Sequence, residues 1–331
     1  MKKAIYVSEQ ERDYLRVYQA ETKTRIAKSF EIEDKLYTKA DVLKGGCLDV
    51  EYIFSTWGMT AFTVEEIKKY LPSLKAIFYA AGSVQHFAKE FLDCGVKVFS
   101  AWMANAVPVA EYAVAQIILA NKGFYQSTVR ARADYFDAKE FFRKFKGNYD
   151  ANIGILGDGA IGSMVIERLL EYKLNVFVYS ITMTEDRAKE LGVTLCSLEE
   201  IFSRCDVISN HLANNPQTVG MINRKCLSSM PDYATFINTG RGAQVDETAL
   251  IEALEQNPTR TAVLDVTYPE PPEEGSKLYT LPNVFLTPHI AGSAGNEVRR
   301  MAEYMAQESE NLLSGNSTKY EVTKEMLRTM A

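Results

Sequence analysis

Short apolar runs alternate with amphipathic stretches along this chain. Each run is rich in β-branched residues and is followed by a turn signal, which is typical of parallel strands buried on both faces. The alternation therefore predicts an α/β protein. The predicted strands form two series, residues 4–7, 52–55, 75–79 and 96–99, and then 152–156, 175–179, 206–209, 234–238, 262–266 and 284–287.

A long apolar segment, residues 107–122, separates the two series and predicts a connecting helix. Residues 124–150 are charged and irregular, and we expect them to form a solvated arm. The final helix, about 295–314, has no predicted strand after it and could pack on the first domain.

The pattern predicts two doubly wound parallel-sheet domains, Rossmann-like and flavodoxin-like, with a cleft between them. The first domain is discontinuous, 1–104 plus 291–331, and the second is 105–290. Ligands are expected beyond the carboxyl ends of the strands.

Composition narrows the class of protein. The chain has 331 residues, of which 47% are hydrophobic and 24% charged, and these values exclude disorder as the main state. The net charge of −6 gives no electrostatic footprint for nucleic acid or an anionic membrane. No apolar run approaches the ~20 residues that span a bilayer, and the N-terminal run is too short for a signal peptide.

Cysteine and histidine usage adds two expectations. The five cysteines are widely spaced without a C-x-x-C pair, which favours free thiols in a reducing cytoplasm. The three histidines are isolated, so the sequence offers no metal-ligand spacing. Of these, His86 is expected at the surface, and His211 follows a strand and could pack near a ligand.

A glycine-rich loop follows the predicted strand 152–156 and opens a helical pattern. In Gly157-Asp158-Gly159-Ala160-Ile161-Gly162, the first glycine permits a tight turn and the second permits close approach of a pyrophosphate. The third packs helix on strand, while the N–H groups of Ala160 and Ile161 face the anion. The loop predicts a dinucleotide site.

The next strand ends at Ser180, where dinucleotide sites usually carry an acidic residue that binds the ribose. Serine can still form a hydrogen bond, but it lacks the charge that would repel a 2′-phosphate. No arginine occurs in 181–184, and Arg187 is the nearest. The motif favours NAD and leaves NADP open.

Three later segments each carry polar groups at the end of a predicted strand: 237–242 (INTGRG), 264–271 (LDVTYPEP) and 286–292 (LTPHIAG). With the glycine loop they resemble the D-isomer-specific 2-hydroxyacid dehydrogenase family. The resemblance extends over nearly the whole chain, including 80–83 and 105–111, and is strongest from about 205 to 292.

The resemblance implies an NAD(P)-dependent oxidoreductase that reversibly reduces a 2-oxo acid to a D-2-hydroxy acid. Arg241 would bind the carboxylate and carbonyl oxygens with its planar guanidinium. His289 would exchange a proton with the reacting oxygen, and Glu270 would favour the imidazolium and orient it. Each also has a structural alternative: a surface arginine, a core histidine and a solvated carboxylate.

The resemblance also implies binding residues and a partner. Besides the glycine loop and Ser180, the cofactor contacts are Thr239, Gly240, Asp265 and Gly292, and the substrate contacts are Trp57, Ala81, Gly82 and Arg241. In the family the cofactor domains pair through the long helix and the arm that follows it, which implies a homodimer.

Two other functions are weighed against this one. Corepressors that resemble the family bind NAD(H) as sensors with little turnover, but nothing in the sequence identifies the peptide-docking surface they would need. Formate oxidation is disfavoured, because that branch carries glutamine where Glu270 stands.

Overall fold

The computed structural model describes residues 1–328. Its strands, in chain order, are β1 (Lys2–Val7), β2 (Phe30–Glu31), β3 (Leu36–Tyr37), β4 (Tyr52–Ser55), β5 (Ala76–Tyr79), β6 (Lys97–Ser100), β7 (Tyr149–Leu156), β8 (Lys173–Tyr179), β9 (Thr194–Leu195), β10 (Val207–Asn210), β11 (Thr235–Asn238), β12 (Thr261–Leu264), β13 (Val284–Leu286) and β14 (Glu321–Val322).

The helices, in the same order, are α1 (Glu11–Val17), α2 (Ala20–Ala27), α3 (Lys39–Val42), α4 (Val64–Tyr70), α5 (Ala88–Asp93), α6 (Trp102–Asn121), α7 (Phe124–Ala133), α8 (Tyr135–Phe141), α9 (Ala160–Leu169), α10 (Glu185–Leu191), α11 (Leu198–Arg204), α12 (Arg224–Ser228), α13 (Glu247–Gln256) and α14 (Val298–Leu313).

The chain divides into two compact units, Met1–Ala106 with Ser293–Ala331, and Val107–Gly292. Each boundary between the two units lies two residues later in the chain than predicted. The first boundary falls inside α6, where the composition of the chain does not change. The last three residues of the predicted first domain lie outside the described residues. Each unit contains a mainly parallel sheet, so the predicted pair of parallel-sheet α/β domains is confirmed.

The first unit is built on a sheet of order β14-β6-β5-β4-β1-β2, with β3 also paired to β1. Its central strands carry Phe54, Phe78 and Phe99, whose stacked ring centroids are 5.1 and 5.0 Å apart. Helix α14 packs on this unit, because Met301 and Met305 are fully buried in the same core. The helix therefore returns the end of the chain to the first sheet.

The expectation that no strand follows the final helix is wrong. β14 pairs antiparallel with β6, so it extends the sheet of the first unit at that edge. The carboxylate of the buried Glu308 accepts hydrogen bonds from the backbone N–H groups of Lys319 and Tyr320 at 2.8 and 3.0 Å. A strand of two residues has too few positions to show an apolar period, and its pairing depends on this long-range contact.

The second unit contains a fully parallel sheet of order β13-β12-β11-β10-β7-β8-β9. Apolar clusters cover its two faces, one centred on α11, α12 and α13 and the other on α6 and α9. From β7 the chain winds outward through β8 and β9, and it then returns to β10 on the other side. The winding direction therefore reverses between β7 and β10, and such a switch point opens a crevice for ligands.

The expectation that 124–150 is irregular is wrong, because the segment forms α7 and α8 before β7 begins. Asp134 separates the helices, and its side chain caps α8 by accepting from the N–H groups of Phe136 and Asp137 at 2.8 and 3.1 Å. The Arg130 guanidinium lies 3.9 Å from the centroid of the Phe141 ring. The many charges hide the helical period because they lie on exposed faces.

Among the described residues one helix, α6, is long and apolar enough to span a membrane by length and composition. The expectation that no segment reaches that length is therefore wrong, because the helix begins earlier, at Trp102, than the apolar run. Nearly half of its most apolar stretch is buried within the structure, and Ala113 and Ile117 belong to the second unit's core. A buried core helix meets the same criterion.

Candidate active site

The carboxyl ends of the parallel strands in the second unit bring the predicted residues of that unit to one edge. Gly157 follows β7, Ser180 follows β8 and His211 follows β10. Further along the same edge, β11 leads into the Thr239–Arg241 turn and β12 into Asp265. His289 stands three residues after β13. The predicted clustering at this edge follows from the parallel topology.

The glycines of the loop after β7 have different structural reasons. Gly157 has φ +90°, and a Cβ there would lie 2.9 Å from the carbonyl oxygen of His211. A Cβ on Gly162 would lie 1.9 Å from the carbonyl oxygen of Gly157. Both positions therefore exclude a side chain, one at the turn and one where α9 meets the loop.

Gly159 is instead exposed, and a Cβ there would meet no atom within 4 Å. Gly159 therefore leaves open space directly before α9. The first residues of this helix, Ala160 and Ile161, offer N–H groups without helical partners. A dinucleotide pyrophosphate fits there, because its charge would meet the positive end of the helix dipole. The loop residues thus suit the predicted cofactor.

Asp158, which lies between the first two glycines, has a role that the sequence did not predict. Its Oδ1 accepts hydrogen bonds from Ser180 Oγ at 2.6 Å and from Thr182 Oγ1 at 2.9 Å. The signal in the sequence was an acidic residue at a position where the glycine motif accepts any side chain. Only the fold shows that this position faces the end of the neighbouring strand.

A buried amide network holds the loop that carries Arg241. Asn210 Nδ2 donates to Asn238 Oδ1 at 3.0 Å and to Gln244 Oε1 at 2.7 Å, and both asparagines are almost fully buried. Gln244 Oε1 also accepts from the backbone N–H of Arg241 at 3.1 Å. The network was not predicted, although Asn210 and Asn238 both end strands and are direct partners in the sheet.

Arg241 itself is half-buried and donates from Nη1 to the carbonyl oxygen of Gly240 at 2.8 Å. Burial lowers the pKa of the guanidinium from its ordinary value, and the charge of Glu270 opposes that shift. A Cβ on Gly242 would lie 2.0 Å from the carbonyl carbon of Thr267. The glycine therefore allows the segment that leads to Glu270 to pass directly against the arginine loop.

Asp265 fixes the segment that carries His289. Its carboxylate is 3% exposed and accepts from the backbone N–H groups of Ile290 and Ala291 at 2.8 and 2.9 Å. Oδ1 also accepts from Thr287 Oγ1 at 2.6 Å. The structure thus gives Asp265 a positioning role, while its predicted contact with the cofactor stays a prediction, as does that of Gly292 in the same segment.

His289 and Glu270 form a close pair. The imidazole Nδ1 lies 2.7 Å from Glu270 Oε1, and both side chains are about half exposed. His289 has φ +54°, a left-handed conformation that is uncommon outside glycine and clusters at functional sites. Since Nδ1 faces the carboxylate, Nε2 is the ring atom left to exchange a proton with a ligand. A guanidinium and an oriented imidazole can together bind a carboxylate and protonate a neighbouring oxygen.

His211 is unsuited to the same work. It is 7% exposed, and burial lowers its pKa to about 4. Its Nε2 lies 2.9 Å from Ser209 Oγ and its Nδ1 lies 3.4 Å from Thr239 Oγ1. His211 is therefore a neutral packing residue beside the glycine loop.

Three predicted substrate contacts belong to the first unit. Ala81 is fully buried, and Ser100 Oγ donates to the carbonyl oxygens of Ala81 and Gly82 at 3.0 and 2.5 Å. The carbonyl oxygen of Trp57 accepts from Ser8 Oγ at 2.7 Å. These bonds hold the backbone of both turns, and contact with a substrate stays a prediction. In residues 1–328 no group of three or more His, Cys, Asp and Glu could hold a metal ion.

A family model and several known proteins are similar to this chain in sequence. The model of the D-isomer specific 2-hydroxyacid dehydrogenase NAD binding domain matches residues 114–291. A D-3-phosphoglycerate dehydrogenase of Methanocaldococcus jannaschii is 30% identical over 271 residues, which cover 81% of this chain and 50% of that protein. The corresponding enzyme of Archaeoglobus fulgidus is 30% identical over 222 residues, 67% of this chain and 42% of that protein. The chain thus spans about half the length of the curated relatives it matches.

Solved structures cover the whole fold. The TT0316 protein of Thermus thermophilus is 26% identical with a TM-score of 0.73, over 97% of this chain and all of that one (100%). The apo D-mandelate dehydrogenase of Rhodotorula graminis has a TM-score of 0.81 at 20% identity, with 98% of each chain covered. At that identity the likeness shows the fold alone.

Proposed function

The chain belongs to the D-isomer specific 2-hydroxyacid dehydrogenase family, and from this premise we propose that it reversibly reduces a 2-oxo acid to a D-2-hydroxy acid. The observation that carries the proposal is the 2.7 Å pair of His289 and Glu270 on the sheet edge that also bears Arg241 and the open glycine loop. The bound nicotinamide cofactor supplies the hydride.

The residues of this chain divide the remaining work. Arg241 binds the substrate carboxylate through its planar fork, and its partial burial strengthens that contact. His289 Nε2 gives a proton to the oxygen that becomes the alcohol, and takes it back in the oxidative direction. Glu270 fixes the ring through Nδ1, and Asp265 fixes the backbone that carries the ring. No metal enters this scheme.

The proposed cofactor is NAD rather than NADP. No arginine occurs in 181–184 to meet a 2′-phosphate, and Arg187 is engaged with Glu190 at 2.7 Å. The substrate class stays at small 2-oxo acids. The curated relatives are named for D-3-phosphoglycerate, so a phosphorylated 2-oxo acid belongs among the candidates.

The test is a steady-state assay of NADH and NADPH oxidation with glyoxylate, pyruvate, 2-oxo-4-methylpentanoate, phenylpyruvate and 3-phosphohydroxypyruvate. Turnover with at least one acid is expected, and the product should be the D isomer. NADH binding without turnover of any acid would instead support the sensing function, since a corepressor-like protein needs the cofactor site but not the chemistry.

We also propose a homodimer formed through the long helix α6 and the arm that follows it, which contains α7 and α8. Large apolar side chains there are solvent-exposed, among them Tyr135 at 69% and Phe136 at 77%. Exposed apolar patches of this kind mark interaction surfaces. Sedimentation at micromolar concentration should give twice the 37.2 kDa chain mass, and a persistent monomer would refute the proposal.

The proposed compartment of the protein is a reducing cytoplasm, which its five free cysteines support. Fractionation of the native cells tests this proposal.

A further inference from the structure

The glycine loop carries a carboxylate that reaches the end of the neighbouring strand. Asp158 Oδ1 is 2.6 Å from the hydroxyl of Ser180, the first residue after β8. In dinucleotide sites an acidic side chain at that strand end binds the ribose hydroxyls of the adenosine. Here the residue at the strand end, Ser180, has only a hydroxyl group. Asp158, in the loop after β7, brings a negative charge to this position.

We propose that Asp158 takes over the missing acidic residue's role, binding the adenosine ribose and excluding NADP. This rests on the proposed function, since it presupposes a nicotinamide dinucleotide in the glycine loop. Position 158 of the loop thereby becomes the determinant of cofactor choice in this chain.

Hydrogen bonds hold the carboxylate in place. Ser180 Oγ accepts from the backbone N–H groups of Thr182 and Met183 at 3.0 and 2.8 Å, which leaves its proton for Asp158. Thr182 Oγ1 donates to the same Oδ1 at 2.9 Å. Both hydroxyls donate to Oδ1, so the second carboxylate oxygen, Oδ2, can accept from ribose hydroxyls. A fixed acceptor loses less conformational entropy on binding than a mobile one.

Within residues 1–328, the groups around Asp158 leave its negative charge uncompensated. Both donors to Asp158 are neutral hydroxyls. The cavity beside it is lined by a second carboxylate, Glu167, and by one cation, Arg187. That cation is already paired with Glu190. A 2′-phosphate would therefore meet a net negative surface.

Asp158→Asn keeps the size and the acceptor oxygen but removes the charge. A 2′-phosphate carries about two negative charges, and at roughly 6 Å from a carboxylate even the dielectric constant of water gives about a 10-fold penalty. The variant should therefore bind NADPH about 10-fold more tightly than the wild type does. Binding of NADH should weaken by about 2- to 5-fold, because the ribose loses a charged acceptor.

The experiment is titration of wild type and variant with NADH and NADPH, followed by cofactor fluorescence without substrate. Glu171→Gln is the matched control: it removes one exposed carboxylate beyond the opposite end of α9, roughly 15 Å away by helix rise. The control should keep the wild-type ratio of the two dissociation constants. Added salt should shrink the wild-type discrimination and leave that of Asp158→Asn nearly unchanged.

Three results would overturn the inference. An unchanged ratio of dissociation constants in Asp158→Asn would show that the carboxylate does not select the cofactor, while the proposed function would stand. An equal change in Glu171→Gln would assign the effect to overall charge. If the wild type bound neither cofactor, the proposed function would fail and this inference with it.

Discussion

Acidification should destabilise the second unit through His211. In the folded unit this imidazole is buried between the glycine loop and Thr239, and burial lowers its pKa from 6.5 to about 4. The unfolded chain takes up a proton at its ordinary pKa, whereas the folded unit resists protonation. The stability due to neutral His211 is therefore fully present above pH 6.5 and is lost progressively as the pH falls towards 4.

The magnitude follows from those two values. At pH 4.5 nearly every unfolded chain carries the proton and only a minority of folded chains do, so the unfolding free energy should fall by about 2 kcal/mol relative to pH 7. His211→Gln keeps a polar side chain but cannot titrate. Its own cost at pH 7 is set by the lost contacts to Ser209 and Thr239, and that cost does not depend on pH in this range.

The assay must report on the second unit. Both tryptophans, Trp57 and Trp102, lie in the first unit, so their fluorescence is uninformative. Hydrogen exchange of peptides from β7 and β10, after equilibration in urea at each pH, measures the local unfolding free energy. His86→Gln, which removes an exposed histidine of the first unit, is the control for general acid effects.

Between pH 7 and 4.5, the unfolding free energy of the wild type and of His86→Gln should fall by about 2 kcal/mol more than that of His211→Gln. Parallel losses in wild type and His211→Gln would refute the reasoning, because the buried imidazole would then titrate as it does in water.

Two substitutions test the other site residues. Arg241→Lys keeps the charge but loses the planar fork, so KM for the 2-oxo acid should rise about 10-fold or more and kcat should fall. The control Arg224→Lys, at an exposed ion pair with Glu252, should change neither constant. Equal kinetics in the two variants would exclude Arg241 from substrate binding. Glu270→Gln keeps the shape but replaces the carboxylate that pairs with His289 Nδ1 by a neutral amide, so kcat for reduction should fall about 10-fold or more with little change in NADH affinity. An unchanged kcat would show that the observed pair has no part in proton transfer.

The sequence predicted the parts of the fold that local periodicity determines. Strands such as β4 and β11 are buried at every position because both sheet faces are covered, and a short run of this kind can be predicted without long-range information. β14 and the helices of the arm, α7 and α8, were not predicted, for two different reasons. The strand is two residues long and depends on the distant Glu308, and in the arm exposed charges obscure the helical period.

Some features of the site could likewise be predicted from the sequence, and others could not. Glycines with a required conformation can be predicted, because Gly157 and Gly162 leave no room for a side chain. The pairing of His289 with Glu270 came from the family resemblance. The contacts of Asp158 with Ser180 and of Asn210 with Gln244 could not be predicted, because each joins segments at the ends of different strands that only the sheet brings together.

Single-turnover reduction with NADH deuterated at the transferable C4 position, in wild type and His289→Gln, follows both the hydride and the proton of the proposed reaction. We expect deuterium at C2 of a D-2-hydroxy acid. His289→Gln should slow the step about 10²- to 10⁴-fold, the usual contribution of general acid catalysis, with a much smaller change in NADH affinity. Deuterium absent from the product or an L product would show that the proposed reaction is wrong, and an undiminished rate in His289→Gln would show that His289 is not the proton donor.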